Sequence, residues 1–202
     1  SSDVCSSDLA HLVHAGLFSS FIKVIAKCSA VDVCYAKKIF REAVKHGTLA
    51  PYIHHNMLEV MARSHDPDLD LVGDLLDEIP SELPFKLSTT GSKTIRVDVH
   101  GYGYGTVYFR LLQSLLDEIK SNPIAPNPIN FLIIYGKGTH SKNFINNMHP
   151  LKHAVQQVVS LLVKFGYDVT LVPKQDEARA IITIGPTPVN TQLKLLRLAY
   201  ED

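Results

Sequence analysis

The sequence predicts two parts of different class, an α-helical solenoid of stacked hairpins (α+α) followed by a small α/β domain. Apolar residues recur at three- and four-residue intervals from Leu17 to Ile79, which is the period of amphipathic helices. From Thr94 to Gly185 strand-like and helix-like segments alternate instead. A stretch rich in Pro, Ser, Thr and Gly separates the two patterns, as is typical of a linker.

An internal repeat organises the helical part. The segment Phe21–Cys28 aligns on Met57–Ser64 at an offset of 36 residues, with apolar residues on apolar residues and Lys27 on Arg63. The same offset places Ala36–Ala43 over Val72–Ile79. A two-helix unit of this length predicts hairpins that stack on their neighbours into an array.

The repeat resembles the pentatricopeptide family, whose length and "apolar-apolar-x-x-apolar-Ala-Lys" run it shares in residues 21–27. Tetratricopeptide repeats are the alternative, although they carry more aromatic and small signature positions. The resemblance implies binding of single-stranded RNA through polar residues on the first helix of each hairpin. The candidate base-reading residues are Ser19, Ser20, His55 and Asn56; the alternative is that they are ordinary solvent-facing residues.

The second part predicts a βαβαββ order, a small sheet with two helices packed against it. The predicted strands are Thr94–His100, Phe131–Tyr135, Val169–Val172 and Ala180–Ile184. The predicted helices are Thr106–Lys120 and Pro150–Phe165. The expected divisions of the chain are 1–9, a segment to set aside; 10–80, helical repeats; 81–93, a linker; 94–185, the α/β domain; and 186–202, a tail.

The first strand of the α/β domain carries the strongest chemical signal. It ends in Val97-Asp98-Val99-His100-Gly101, and side chains alternate along a strand, so Asp98 and His100 share one face. The carboxyl end of a strand is where open α/β sheets bind ligands. A carboxylate beside an imidazole suits general acid–base chemistry, although such pairs are also common as structural caps.

A second motif, Tyr135-Gly136-Lys137-Gly138-Thr139-His140-Ser141, directly follows the second strand. Glycines at this position let backbone N–H groups turn toward an anion, and Lys137 adds a positive charge for phosphate. A plain glycine-rich turn is the competing interpretation. The two motifs together are what favours a phosphate site.

In this order and spacing, the two motifs resemble the small MutS-related (Smr) nuclease family, over about ninety residues. The family has L-D-x-H at the first strand end and T-G-x-G after the next strand. The resemblance extends to Pro150-Leu151-Lys152 at the start of the following helix. This chain departs from it at Val97, which is harmless in a strand, and at Tyr135. Because Tyr135 replaces a small hydroxyl residue by a bulky phenol, activity depends on where this side chain points.

The resemblance implies an endonuclease that cleaves or processes RNA selected by the repeats, with DNA nicking as a variant. His100 would act as general acid or base on water or a 2′-hydroxyl, and Asp98 would orient it or bind a divalent metal such as Mg²⁺. Phosphate would be held by Gly136, Lys137 and Gly138, with His140 and Arg96 nearby. The rivals are a non-catalytic nucleic-acid-binding adaptor that uses the same groove, and a protein-interaction solenoid with a vestigial domain.

The distribution of charge and the length of the apolar runs limit the classes of partner that the sequence predicts. Residues 91–185 carry ten Lys/Arg against six Asp/Glu, whereas residues 10–90 carry eight against ten, and this difference suits an anionic ligand in the second part. No apolar run approaches the roughly 20 residues that span a bilayer, so no membrane partner is expected. The pattern Gly101-x-Gly103-x-Gly105 suggests a dinucleotide-binding site as an alternative. Two departures argue against it: Thr106 stands in place of the third glycine, and no acidic residue ends the second strand.

The chain start needs separate treatment. The first nine residues, SSDVCSSDL, look like translated sequencing-adapter read-through, so we expect the remainder to be the C-terminal part of a longer protein. The family resemblance implies a mitochondrial or chloroplast location. Cys28 and Cys34 are six residues apart in a helical region, which predicts small packing residues and neither a disulfide nor a zinc site.

Overall fold

The computed structural model describes residues 4–28, 30–47, 51–79, 88–90, 94–121, 128–136, 150–174 and 179–185, with side chains outside 4–14 and 88–90. In chain order the helices are α1 (Val4–Lys27), α2 (Val33–Lys45), α3 (Pro51–Arg63), α4 (Leu69–Glu78), α5 (Tyr104–Ser121) and α6 (Pro150–Lys164). The strands are β1 (Ser88–Thr90), β2 (Thr94–Asp98), β3 (Ile129–Ile134), β4 (Val169–Pro173) and β5 (Arg179–Ile184). None of these helices is both long enough and apolar enough to cross a membrane.

The chain forms two compact units. The first contains residues 1–83 together with 103–109, and the second contains residues 84–102 and 110–202. In the first unit, α2 and α4 begin 36 residues apart, at Val33 and Leu69. Each of these helices is preceded by an N-cap aspartate, Asp32 or Asp68, whose side chain accepts the backbone N–H three residues on. Such caps satisfy amide donors that the first helical turn leaves unpaired.

The core of the first unit forms where the helices face each other. Its fully buried members follow helical spacing, so each helix turns one apolar side inward. They include Ile22 and Ala26 of α1, Ala36 and Ala43 of α2, Ile53, Met57, Leu58, Val60 and Met61 of α3, and Leu75 of α4. Phe109, from the part of α5 that belongs to this unit, joins the same cluster.

The second unit is built on a five-stranded sheet in the order β1-β2-β3-β5-β4. Strands β2 and β3 are parallel and joined through α5, whereas β3 with β5, β4 with β5, and β1 with β2 are antiparallel. This mixed α/β arrangement agrees with the predicted order. The observed strand and helix boundaries differ from the predicted ones by no more than two residues.

One face of the sheet is buried and the other is more open. Val97 and Val99 on the first parallel strand, and Phe131, Ile133 and Tyr135 on the second, alternate with more exposed neighbours. The register pairs Val97 with Ile133 and Asp98 with Ile134, so paired residues point to the same side. Apolar residues of α5 and α6 complete the core of this unit: Leu111, Leu115, Ile119, Ala154, Val155, Val158 and Leu162.

Two features differ from expectation. The short strand β1 lies within residues 81–93, which the composition predicted as linker, and pairs with β2. Three residues of Ser and Thr carry too little apolar periodicity for a sequence pattern to identify a strand. Cys28 and Cys34 are exposed free thiols, so the prediction that they are packing residues is wrong. Both stand on the outer side of their helical segments, which residue type alone does not reveal.

Candidate active site

The end of β2 places Asp98 and His100 at one edge of the sheet. Asp98 is the last residue of the strand and is half-buried, while His100 lies in the following turn and is exposed. The Asp98 Oδ1 atom accepts a hydrogen bond from the His100 backbone N–H at 3.0 Å. An aspartate that binds an amide two residues on stabilises a turn. Asp98 therefore positions His100 through the backbone of this turn.

The glycine motif meets His100 at the end of the neighbouring strand. Gly136 adopts φ +77°, and a Cβ atom added to it would lie 2.8 Å from the His100 Cδ2 atom and 3.7 Å from Nε2. Only a residue without a side chain allows the imidazole so close to the backbone. The two motifs that the sequence singled out are thus in contact, because the parallel pairing of β2 and β3 brings their carboxyl ends together.

Tyr135 points away from this contact. Its position continues the buried alternation of Phe131 and Ile133, and its side chain is 2% exposed. The phenol hydroxyl donates a hydrogen bond to the Arg179 carbonyl oxygen at 3.1 Å. Tyr135 thus belongs to the packed face of the sheet, and Asp98 and His100 belong to the opposite face. The bulky side chain therefore does not fill the space around the His100 ring.

Arg96 adds positive charge on the face of the candidate site. It lies two residues before Asp98 on β2, is exposed, and points to the same side by strand alternation. Its pairing partner on β3 is Leu132. A guanidinium in this position can pair with a phosphate oxygen of a ligand at the strand end.

Sequence reasoning did not identify Tyr102 as part of this site. Burial, followed by the negative charge of Asp98, raises the pKa of the Tyr102 phenol, while the positive charge of Arg110 opposes this shift. Tyr102 therefore lies within electrostatic reach of both the Asp98 carboxylate and the Arg110 guanidinium. The available signal in the sequence is an aromatic residue two positions after His100, between Gly101 and Gly103.

Three predicted phosphate ligands, Lys137, Gly138 and His140, lie outside the described residues. In the part of the chain that the structure describes, no group of three or more His, Cys, Asp or Glu side chains is placed to hold a metal ion. Asp98 alone supplies one carboxylate, and one of its oxygens already binds an amide. These residues do not form the oxygen-rich donor set that Mg²⁺ needs.

Most of the candidate base-reading residues of the first unit lie where α3 contacts α1 or the first turns of α5. The Asn56 side-chain amide donates to the Ser19 carbonyl oxygen at 3.2 Å and to Ser19 Oγ at 2.6 Å, which joins α3 to α1. His55 Nδ1 and Thr106 Oγ1 are 2.8 Å apart. Ser20 is exposed, and its hydroxyl donates to the Gly16 carbonyl oxygen one turn back. Three of the four residues thus take part in helix–helix contacts.

Two of the three glycines in the pattern after β2, Gly101 and Gly105, have structural explanations that do not require a dinucleotide. Gly101 has φ +90° in the turn behind His100. A Cβ atom at Gly105 would collide with the backbone of Leu58 and Glu59 on α3. The Gly105 backbone N–H also donates to Glu59 Oε2 at 3.3 Å. Gly105 is therefore required for close approach of two helices.

Comparison with protein-family models, curated proteins and solved structures finds no match for this chain. The functional assignment therefore depends on the motifs and on the geometry of the residues just described.

Proposed function

We propose that this protein is an RNA-binding endonuclease whose cleavage centre is formed by His100, Asp98 and the glycine motif that begins at Gly136. The observation that carries the proposal is the contact between the His100 ring and Gly136 at the carboxyl ends of two parallel strands. This contact joins the two motifs that resemble the Smr family. It also leaves an exposed imidazole against the backbone of Gly136, an arrangement that suits proton transfer at a phosphodiester bound there.

His100 is the proton-transferring group in this proposal. The residue is exposed at the sheet edge, so a ribose 2′-hydroxyl or a water molecule can approach the ring. Removal of a proton from that oxygen would make it a nucleophile toward the adjacent phosphorus. As the new O–P bond forms, the P–O ester bond to the departing ribose breaks, and the leaving oxygen takes a proton from solvent. Asp98 acts as a positioning residue, because its hydrogen bond to the His100 amide holds the turn that carries the ring.

The phosphate is assigned to the glycine motif and to Arg96. The positive φ of Gly136 turns the backbone after β3 in a way that side-chain-bearing residues rarely adopt, and successive amides in such turns bind anions. Arg96, exposed on the same face as Asp98, would pair with a phosphate oxygen and stabilise developing negative charge. We assign no step of the reaction to a metal ion, because the described residues do not form a site for one.

The helical repeats would select the RNA. The support is the 36-residue periodicity together with equivalent N-caps at Asp32 and Asp68, which give two successive helix pairs the same local construction. In this proposal Ser20 and the remaining hydrogen-bonding groups of Asn56 and His55 meet bases of single-stranded RNA. The family resemblance supplies the class of ligand.

The proposal is tested with purified full chain, its His100→Ala and Asp98→Asn variants, and labelled single-stranded and structured RNA. General acid–base catalysis contributes about 10²- to 10⁴-fold, so His100→Ala should slow cleavage by at least about a hundredfold while RNA binding persists. Asp98→Asn should slow cleavage less, because an amide oxygen can still accept the His100 N–H.

Two results distinguish the rivals. Wild type that binds RNA and never cuts it, with or without Mg²⁺ or Mn²⁺, would identify a non-catalytic adaptor. Failure to bind RNA or DNA even at low salt, where phosphate contacts are strongest, would favour a protein-interaction solenoid instead.

A further inference from the structure

An apolar stripe on α1 is exposed although its residues have the spacing of a buried helix face. Leu17, Phe21 and Val24, which we call the α1 stripe, follow one another at four and three residues and therefore share one side of the helix. Their side chains are 52%, 49% and 62% exposed. Exposed apolar residues that form a contiguous row mark interaction surfaces more often than scattered ones do.

The second helix pair shows what covers such a stripe. The equivalent residues 36 positions later are Ile53, Met57 and Val60 on α3, and each of them is 0% exposed. Asn56, on the same side of α3, donates to the carbonyl and hydroxyl oxygens of Ser19. That side of α3 therefore faces α1. The row on α3 is covered by the first helix pair, α1 and α2, whereas the equivalent row on α1 is open.

The opposite side of α3 is already occupied. Thr106 contacts His55, and Gly105 lies directly against the backbone of Leu58 and Glu59. This is the side on which a following helix pair would pack, and residues 103–109 take that place. A second copy of this chain therefore cannot offer the matching surface to the α1 stripe without displacing residues 103–109.

We propose that the α1 stripe is the docking surface for one further helix pair of the same 36-residue class, which packs on α1 as α1 packs on α3. The inference goes beyond the proposed nuclease activity and does not depend on it.

A variant of the full chain that carries an additional copy of residues 15–50 between His14 and Ala15 tests this. The inserted pair is then followed by the native α1 at the same spacing that separates α1 from α3. We expect a gain in helical circular dichroism and a single cooperative unfolding transition at a higher midpoint than the parent. Absence of added helix, or a separate early transition, would overturn the proposal.

Substitution of the stripe provides the second readout. In the parent chain Phe21→Glu should shift the thermal midpoint little, whereas Met57→Glu should lower it strongly. In the insertion variant, Phe21→Glu in the native α1, which now follows the inserted pair, should lower the thermal midpoint by nearly as much as Met57→Glu. Leu69→Glu is the control, since Leu69 is 68% exposed on α4 and should have a small effect in both backgrounds. If Phe21→Glu in the native α1 of the insertion variant shifts the thermal midpoint as little as it does in the parent chain, the docking proposal is contradicted.

Discussion

The His100 imidazole lies against the α-carbon of Gly136, with its Cδ2 atom 2.8 Å from the position of a Cβ atom there. The two residues are 36 positions apart in sequence and are joined by the parallel pairing of β2 and β3. Each residue alone has an ordinary explanation, as a surface histidine or a turn glycine. Their contact makes a site, because it places a proton-transferring ring beside backbone that is free of side chains.

Gly136→Ala tests this contact directly. The added methyl group meets the His100 ring and also places a side chain at φ +77°, a conformation that costs about 1–2 kcal/mol. Because the ring is exposed and can rotate, we expect the protein to remain folded and RNA cleavage to fall sharply. Cleavage rate and thermal midpoint are measured together. Gly47→Ala is the matched control, with φ +62° and open space around its Cβ position; it should lose similar stability and keep full activity.

Tyr135→Phe separates the packed face of the sheet from the site. The substitution removes the hydrogen bond from the phenol to the Arg179 carbonyl oxygen and should lower the free energy of unfolding by about 0.5–1.5 kcal/mol. Tyr135→Thr, which restores the residue of the family motif, should cost about 3 kcal/mol or more through the cavity it leaves. Denaturant titration measures both. Since Tyr135 points away from His100, a cleavage rate below wild type in folded Tyr135→Phe would contradict this account.

Gly105→Ala tests the close approach of α5 residues to α3. A methyl group there meets the backbone of Leu58 and Glu59, which no side-chain rotation can relieve, so we expect a loss of about 1–3 kcal/mol or more. Gly73→Ala on α4 is the comparison, because nothing lies within 4 Å of its Cβ position. Replacing this helical glycine should raise stability by about 0.5–1 kcal/mol. Equal effects of the two substitutions would show that the helices do not approach this closely.

His54 should make the stability of the first unit depend on pH. Burial lowers the pKa of His54 below its ordinary value of 6.5, and the negative charge of Glu78 opposes this shift. The folded state therefore favours neutral imidazole: its stabilising effect is complete above pH 6.5 and is lost as the pH falls through the lowered pKa. His54→Leu should flatten the decrease in unfolding free energy between pH 7 and 5. Unfolding free energies of wild type and His54→Leu are measured side by side across this range, and equal slopes for the two proteins would contradict this account.

Local sequence patterns were sufficient to predict the helices and strands but not the contacts between them. Helical and strand periods predicted α5, α6 and the strands from β2 to β5, since alternation and amphipathicity are properties of neighbouring residues. The direction of Tyr135 was also implicit in its alternation with Ile133 and Phe131. In contrast, the need for glycine at position 105 depends on Glu59, which is 46 residues away, and no local pattern contains that information.

The residues of the candidate site likewise fall into those that the sequence could predict and those that it could not. Asp98 and His100 could be identified because a strand places them on one side, and the turn between Asp98 and the His100 amide is a local interaction. The electrostatic proximity of Tyr102 to Asp98 and Arg110 could not be predicted, because it depends on how the turn leads into α5. The exposure of the α1 stripe likewise becomes informative only when its buried equivalents on α3 are known.

The most direct test of the central claim is the rate of RNA cleavage by His100→Gly with and without added imidazole. If His100 transfers the proton, His100→Gly should be slower than wild type by at least about a hundredfold, and imidazole should restore part of the rate in this variant only. Asp98→Asn should not respond to imidazole, because it retains the ring. Cleavage by His100→Gly at the wild-type rate in the absence of imidazole would contradict the assignment.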